Sequence, residues 1–270
     1  RIPDINLGSI QALERRQRKD KTGTRTFLGD PSGFRWKTSF QLETYMTSWT
    51  NQTQPPPHGA LFEAALGSDA VLNGGGAAVT SASGSTTVSF AVPHGLNPGQ
   101  AVAVAGEIRF VTAVANPTTV ILNAPFSSAF NSSTSTGPTA TYQPGTALPS
   151  VSIFDYWDPS GAVQRTLYGA AVNRTQIKVN GDFHDVVFSG QAADLLDSAS
   201  FSGLQAGLSQ YPAEPAVQPL NYSIIPGHLG QVGLGSAPNE FLTLTGAELT
   251  MDNGVDLRAT EVAGREHEAV

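Results

Sequence analysis

The sequence predicts a mainly β fold: a β-sandwich carrying one or two short helices, with a small all-β domain inserted into it. Three observations lead there. Short runs of alternating apolar and polar residues recur along the chain, and a two-residue period marks a half-buried strand. Asn180-Gly181 stands between two such runs, a strong local sign of a hairpin. Residues 69–147 change composition abruptly: only Asp69, Glu107 and Arg109 are charged, in a background of Ala, Val, Ser, Thr, Gly and Pro. At 270 residues the chain is long enough for one large domain or two ordinary ones. We divide it into a sandwich domain from 1–68 and 148–270, and an inserted domain at 69–147.

Residues 1–37 read as a basic arm, extended or partly looped. The stretch from Lys37 to Met46 alternates with Phe40 and Leu42 on one face, which predicts a strand. Pro55-Pro56-Pro57 breaks the chain, and a short helix follows from His58 to Leu66. Leu61, Phe62, Ala65 and Leu66 form its apolar stripe, and Gly67 suits its C-terminal cap. In the insert, strands are predicted at Thr86–Val92, Gln100–Ala105, Ile108–Val114 and Thr118–Leu122, with Gly and Pro between them. Gly74-Gly75-Gly76 and the Ser/Thr-rich stretch 127–141 read as flexible flanks.

Beyond the insert, Val151–Tyr156 and Gln164–Gly169 read as strands. A two-residue type I′ turn at Asn180-Gly181 would pair Val179 with Asp182 and Ile177 with His184. It would also place Ile177, Val179, Val186 and Phe188 on one face. Gln191–Leu196 reads as a short helix after Ser189, and 203–239, rich in Gly and Pro, as a long loop. A second hairpin is expected from Phe241–Met251, turning at Asn253-Gly254 and returning through Val255–Arg258.

The totals exclude several chemistries. With no cysteine there is no disulfide, thiolate metal site or cysteine nucleophile. No apolar run reaches the roughly 18 residues of a membrane span, and the basic N-terminal segment is not followed by the apolar stretch of a signal peptide. Charged residues are 14% of the chain, against about 25% in average domains, a composition that suits a surface covered by neighbours. The net charge of −7 is also unevenly distributed. Residues 1–37 hold nine bases and four acids, a net of +5, and the remainder holds six bases and eighteen acids, a net of −12. The run Arg15, Arg16, Arg18, Lys19 and Lys21 is the sharpest basic feature. Such an arm binds nucleic acid or the acidic body of a neighbouring copy. No aromatic residue interleaves it as a base-stacking surface would require, so docking onto another copy fits the charge split better.

No catalytic constellation emerges. His58, His94, His184, His228 and His267 are not spaced as a metal pair. His184 and Asp185 would point to opposite faces of a strand. No Gly-x-Ser-x-Gly elbow occurs. The glycines at 230, 233 and 235 lack the strand–loop–helix setting of a dinucleotide site. Acid pairs such as Asp155/Asp158 and Asp194/Asp197 read as solvated surface. We expect no enzyme, no cofactor and no metal.

The opening Ile-Pro-Asp-Ile-Asn-Leu-Gly-Ser-Ile, the basic run and Gly23-Thr24-Arg25-Thr26-Phe27-Leu28-Gly29 resemble the start of bacteriophage tail tube proteins. The order of strand 40–50, proline loop and helix ending at Gly67 is similar to that family, as are 167–173 and the step Phe188-Ser189-Gly190. The resemblance covers roughly 1–68 and 148–263; the insert departs from the minimal pattern and looks like the decoration domains some members carry. It implies two packed β-sheets with a helix on one side, six copies closing into a ring, and rings stacking into the tube of a long-tailed phage. On that basis the partners are the chain itself, other tail proteins, and double-stranded DNA passing through the lumen without specific binding. The location is the virion tail, assembled in the host cytoplasm. Arg15, Arg16, Arg18, Lys19 and Lys21 become inter-ring candidates, so deleting 1–21 should leave rings without tubes. Asp182, Asp185, Asp252 and Asp256 become candidates for an acidic lumen that repels phosphate. The alternatives are a distal or terminator ring protein of the tail, or a host-surface glycan-binding module centred on 69–147.

Overall fold

The computed structural model describes residues 6–15, 32–49, 53–81, 84–131, 133–156, 163–213, 223–227, 233–234, 239–240, 245–259 and 267–269. In chain order its elements begin with β1 (Asn6–Arg15), β2 (Ser32–Tyr45) and α1 (Gly59–Leu66). Then come β3 (Val71–Asn73), β4 (Thr87–Ser89), β5 (Ala101–Val104), β6 (Glu107–Asn116), β7 (Thr119–Leu122), β8 (Thr136–Gly137) and β9 (Thr139–Thr141). The C-terminal part holds β10 (Val151–Asp155), β11 (Arg165–Asn180), β12 (His184–Asp197), β13 (Gly233–Leu234), β14 (Asn239–Glu240), β15 (Gly246–Asp252), β16 (Leu257–Ala259) and β17 (His267–Ala269). The fold is mainly β with one short α-helix, as its alternating sequence runs predict.

Six strands form the larger sheet in the order β1-β2-β12-β11-β10, with β15 also on β11. All its pairings are antiparallel. On one face the two-residue period stacks apolar rows: Leu7 lies beside Leu42, Leu42 beside Phe188, and Phe188 beside Thr175. Helix α1 lays Leu61, Ala64 and Ala65 onto this face, making one cluster with Phe40, Leu42, Val172, Val186 and Phe188. The helix stops at Gly67, whose φ of 85° accommodates the left-handed cap while its N–H donates to Glu63 O at 2.7 Å. The smaller sheet runs β4-β7-β6-β5-β8 and encloses its own cluster around Val88, Val104, Val111, Val120 and Phe126. Strands β3 and β9 pair antiparallel, bringing Val71 opposite Thr141.

Four local expectations change. The hairpin at Asn180-Gly181 pairs Val179 with His184 and Ile177 with Val186, two residues away from the tight-turn register. The Asn180 side chain accepts N–H bonds from Asp182 and Phe183, and the loop spans four residues. Because the slip is even, Ile177, Val179, Val186 and Phe188 keep their common face. Gln191–Leu196 is strand, within β12, because β11 pairs along its whole length and β2 continues on the other side as far as Ala192. The apolar residues Phe188, Ala192 and Leu196 recur every four positions, a spacing that fits both helix and strand. Residues 6–15, read as arm, pair with β2 as β1. Asn253-Gly254 does not turn a hairpin: β15 pairs with β11, whereas β16 pairs with β17. The Asn253 amide donates to Ala65 O and Val172 O, tying this corner to the helix end and to β11.

Candidate assembly surface

The face of the larger sheet turned away from α1 is largely polar, because its strands alternate. Lys37, Ser39, Gln41, Glu43 and Tyr45 on β2 lie between core residues Thr38, Phe40, Leu42 and Thr44. On β12 and β11 the matching positions are Asp185, Val187, Ser189, Arg174, Gln176 and Lys178, and β15 adds Glu248, Thr250 and Asp252. In register, Lys178 has Asp185 on one side and Glu248 on the other. Arg174 pairs with Asp252 at 2.9 Å, and Gln176 donates to Glu248 at 2.6 Å. The Gly254 N–H, then Arg174, hold the Asp252 carboxyl below the usual carboxylate range. The positions named carry four acids (Glu43, Asp185, Glu248, Asp252) interleaved with three bases (Lys37, Arg174, Lys178).

Of the acidic candidates, Asp185 and Asp252 share this face, about 13 Å apart along the strands as their β11 partners Lys178 and Arg174 are four residues apart. Asp182 lies exposed in the β11–β12 loop and Asp256 exposed between β15 and β16. Of the basic candidates, Arg15 closes β1 opposite Ser32, while Arg16, Arg18, Lys19 and Lys21 lie outside the described residues.

The sheet has two open sides. Among the described residues nothing pairs with the outer side of β1, ten residues long, or with the outer sides of β10 and β15, which lie end to end along β11. Both outermost strands expose a large aliphatic side chain: Ile10 is 68% exposed and Leu249 66%. β1 is held to its neighbours on the core side by Gln11, whose amide donates to Thr38 at 3.2 Å and to Asp194 at 3.0 Å. Composition hinted at covered surface, but these open edges depend on which strands pair and had no local sequence signal.

The histidines and acids singled out in the sequence are placed as follows. Among the described residues no group of three or more His, Cys, Asp or Glu is placed to hold a metal. The ring of His94 accepts from the Leu96 N–H at 2.9 Å and contacts Asn116 O at 3.1 Å, so it fastens a turn. His58 is buried with its Nδ1 unpartnered, edge-on to Phe62, and burial lowers its pKa. His184 begins β12 and Asp185 follows on the opposite face. Asp194 is engaged by Gln11, and Asp197 accepts N–H bonds from Ala199 and Ser200. Of the glycine run at 230–235, Gly233 is in β13 and the remainder, apart from Leu234, lies outside the described residues. Compared with known proteins, the chain matches no family model and no curated protein.

Proposed function

We propose that this chain is a self-assembling structural protein whose copies close into six-membered rings that stack into a phage tail tube. The observation that carries the reading is the larger sheet: one face packed under α1, the other polar, and both outer edges unpaired with an exposed aliphatic residue on each. A long open edge presents unpaired N–H and C=O groups, a ready template for pairing with another chain. Joining the β1 edge of one copy to the β10/β15 edge of the next satisfies both, and a rotation that closes removes every edge. Stacking of rings is a head-to-tail contact, which propagates into a filament.

In that arrangement the polar face of the sheet lines the lumen. Its interleaved acids and bases give a hydrated wall in which Arg174 and Lys178 each have an acid nearby, in contact or in register. DNA passes without adhering, and Asp185 and Asp252 contribute to that wall. The 69–147 unit sits outside the tube as an inserted decoration. The basic arm docks onto the acidic body of an adjacent ring.

Deleting 1–21 is a poor test of the arm, because it removes β1 as well. Reversing Arg16, Arg18, Lys19 and Lys21 to Glu leaves the strand in place. Sedimentation of that variant should show rings and no tubes. Tubes of ordinary length would remove the arm from the stacking contact. Rings without tubes from the unaltered protein would instead favour a distal or terminator ring component.

A further inference from the structure

Three Asn-Gly pairs occur in the chain: Asn73-Gly74, Asn180-Gly181 and Asn253-Gly254. At such a pair the glycine nitrogen can attack the asparagine side-chain carbonyl carbon, because glycine carries no Cβ to obstruct the approach. Three conditions govern that attack. The glycine N–H must be free, and the side-chain nitrogen must be free to leave. The side-chain oxygen, which becomes anionic, must be stabilised by donors aimed at it.

The structure separates the three pairs. At Asn253 the side-chain nitrogen is held twice, donating to Ala65 O at 2.8 Å and to Val172 O at 3.1 Å. The Gly254 N–H donates to Asp252 Oδ1 at 3.1 Å, so the nucleophile is engaged and a carboxylate stands beside the charge that would develop. Asn73 is half-buried at the end of β3, and its side-chain oxygen accepts one N–H, from Gly75 at 2.8 Å. Asn180 meets all three conditions. It is exposed at the end of β11. Its Oδ1 accepts the Asp182 N–H at 2.9 Å and the Phe183 N–H at 2.8 Å, two backbone donors on the atom that takes up the charge. Among the described residues nothing accepts from its side-chain nitrogen or from the Gly181 N–H. No atom beyond the chain neighbours lies within 4 Å of where a Gly181 Cβ would stand, so this corner has room to turn.

We infer that Asn180 is a site of spontaneous covalent modification, converting through a cyclic imide with Gly181 to aspartate and isoaspartate. The Gly181 nitrogen gives its proton to solvent and bonds to Asn180 Cγ, while the carbonyl electron pair moves onto Oδ1. When that pair returns, the side-chain nitrogen takes a proton from solvent and leaves as ammonia. Water then opens the five-membered ring. Opening at Cγ restores the ordinary backbone with aspartate at 180. Opening at the main-chain carbonyl routes the backbone through Cγ and gives isoaspartate. One water enters and one ammonia leaves. The new acid joins Asp182 in the same exposed loop. The two N–H groups hold the aspartate form more strongly than the amide, since an ionised acceptor strengthens a hydrogen bond. The inference needs nothing from the tube reading.

The test uses the unaltered full chain, kept folded in mildly alkaline buffer. Cleavage after aromatic residues puts the three pairs on separate peptides. Chromatography with mass detection then resolves the asparagine, aspartate and isoaspartate forms of each. In a water-excluded site one donor to a developing oxyanion is worth roughly a hundredfold in rate, so two in an exposed loop should give about tenfold. The Asn180 peptide should therefore convert at least about tenfold faster than either other peptide, with isoaspartate among its products. In urea the three rates should come together, since unfolding removes the donors and the restraints alike. Equal rates in the folded chain, an Asn180 that survives after Asn253 has converted, or aspartate at 180 without isoaspartate would overturn the inference.

Discussion

At the scale of single residues, Glu107 shows how a charge is tolerated inside a unit that holds only two others, Asp69 and Arg109. Arg109, the N–H groups of Ser127 and Ser128, and both of their hydroxyls all donate to its carboxylate. Burial pushes the Glu107 pKa up, but the serine donors outweigh it and hold the group at about 2. A carboxylate with a depressed folded pKa contributes stability above its unfolded value, and loses it as pH falls toward the folded one. Glu107→Gln should therefore cost about 2–3 kcal/mol at neutral pH, measured by urea unfolding, and the difference from the unaltered protein should shrink between about pH 4 and pH 2. His58 works in the opposite range. Its pKa is lowered by burial, so the unfolded chain takes up a proton that the folded one resists. The contribution is fully present above the ordinary histidine value near 6.5 and is lost as pH falls below it. Thermal unfolding followed from pH 8 to pH 5 should show a fall that His58→Phe removes. Neither role is visible in the sequence, where both residues are simply a lone acid and a lone histidine.

At the scale of elements, periodicity read strands well and pairing poorly. The strands around Phe40, Val88, Val102, Val111 and Val120, and the helix ending at Gly67, follow from alternation, apolar stripe and cap. The β11–β12 register does not, because Asn180 uses its side chain as an acceptor for two N–H groups, a choice that the dipeptide Asn-Gly leaves open. Residues 191–196 form a strand because β11 supplies backbone bonds along them and β2 joins as far as Ala192, a tertiary effect with no local trace. Gly190 shows why this part of β12 needs its sequence. A Cβ there would lie 2.0 Å from Ala171 O and 3.0 Å from Asn173 N, at the irregularity in β11 between Val172 and Arg174. Those are backbone atoms that cannot swing aside. Gly190→Ala should destabilise the larger sheet by at least about 2 kcal/mol, with loss of amide-exchange protection along β11 and β12. A melting point unchanged within a degree would show that the β11 irregularity yields freely.

At the scale of the whole molecule, the legible signals were composition and charge: a middle with only three charged residues, a basic beginning and an acidic remainder. They point to assembly without saying through which surface. The surface follows from long-range pairing, which leaves β1 at one edge and β10 with β15 at the other. The same topology puts Asp185 and Asp252 on one face and Asp182 and Asp256 in loops. If the basic arm bridges rings electrostatically, the stack weakens with ionic strength, since the Debye length falls from about 10 Å at 0.1 M to about 3 Å at 1 M salt. Raising salt should then shorten the proposed tubes and leave the proposed rings, whose edges in this reading are joined by backbone bonds. The most direct measurement is negative-stain electron microscopy of the purified full chain over a rising concentration series. The account predicts hollow rings of six copies that stack into tubes. A protein that stays monomeric at every concentration, with its sheet edges unpaired, would contradict it.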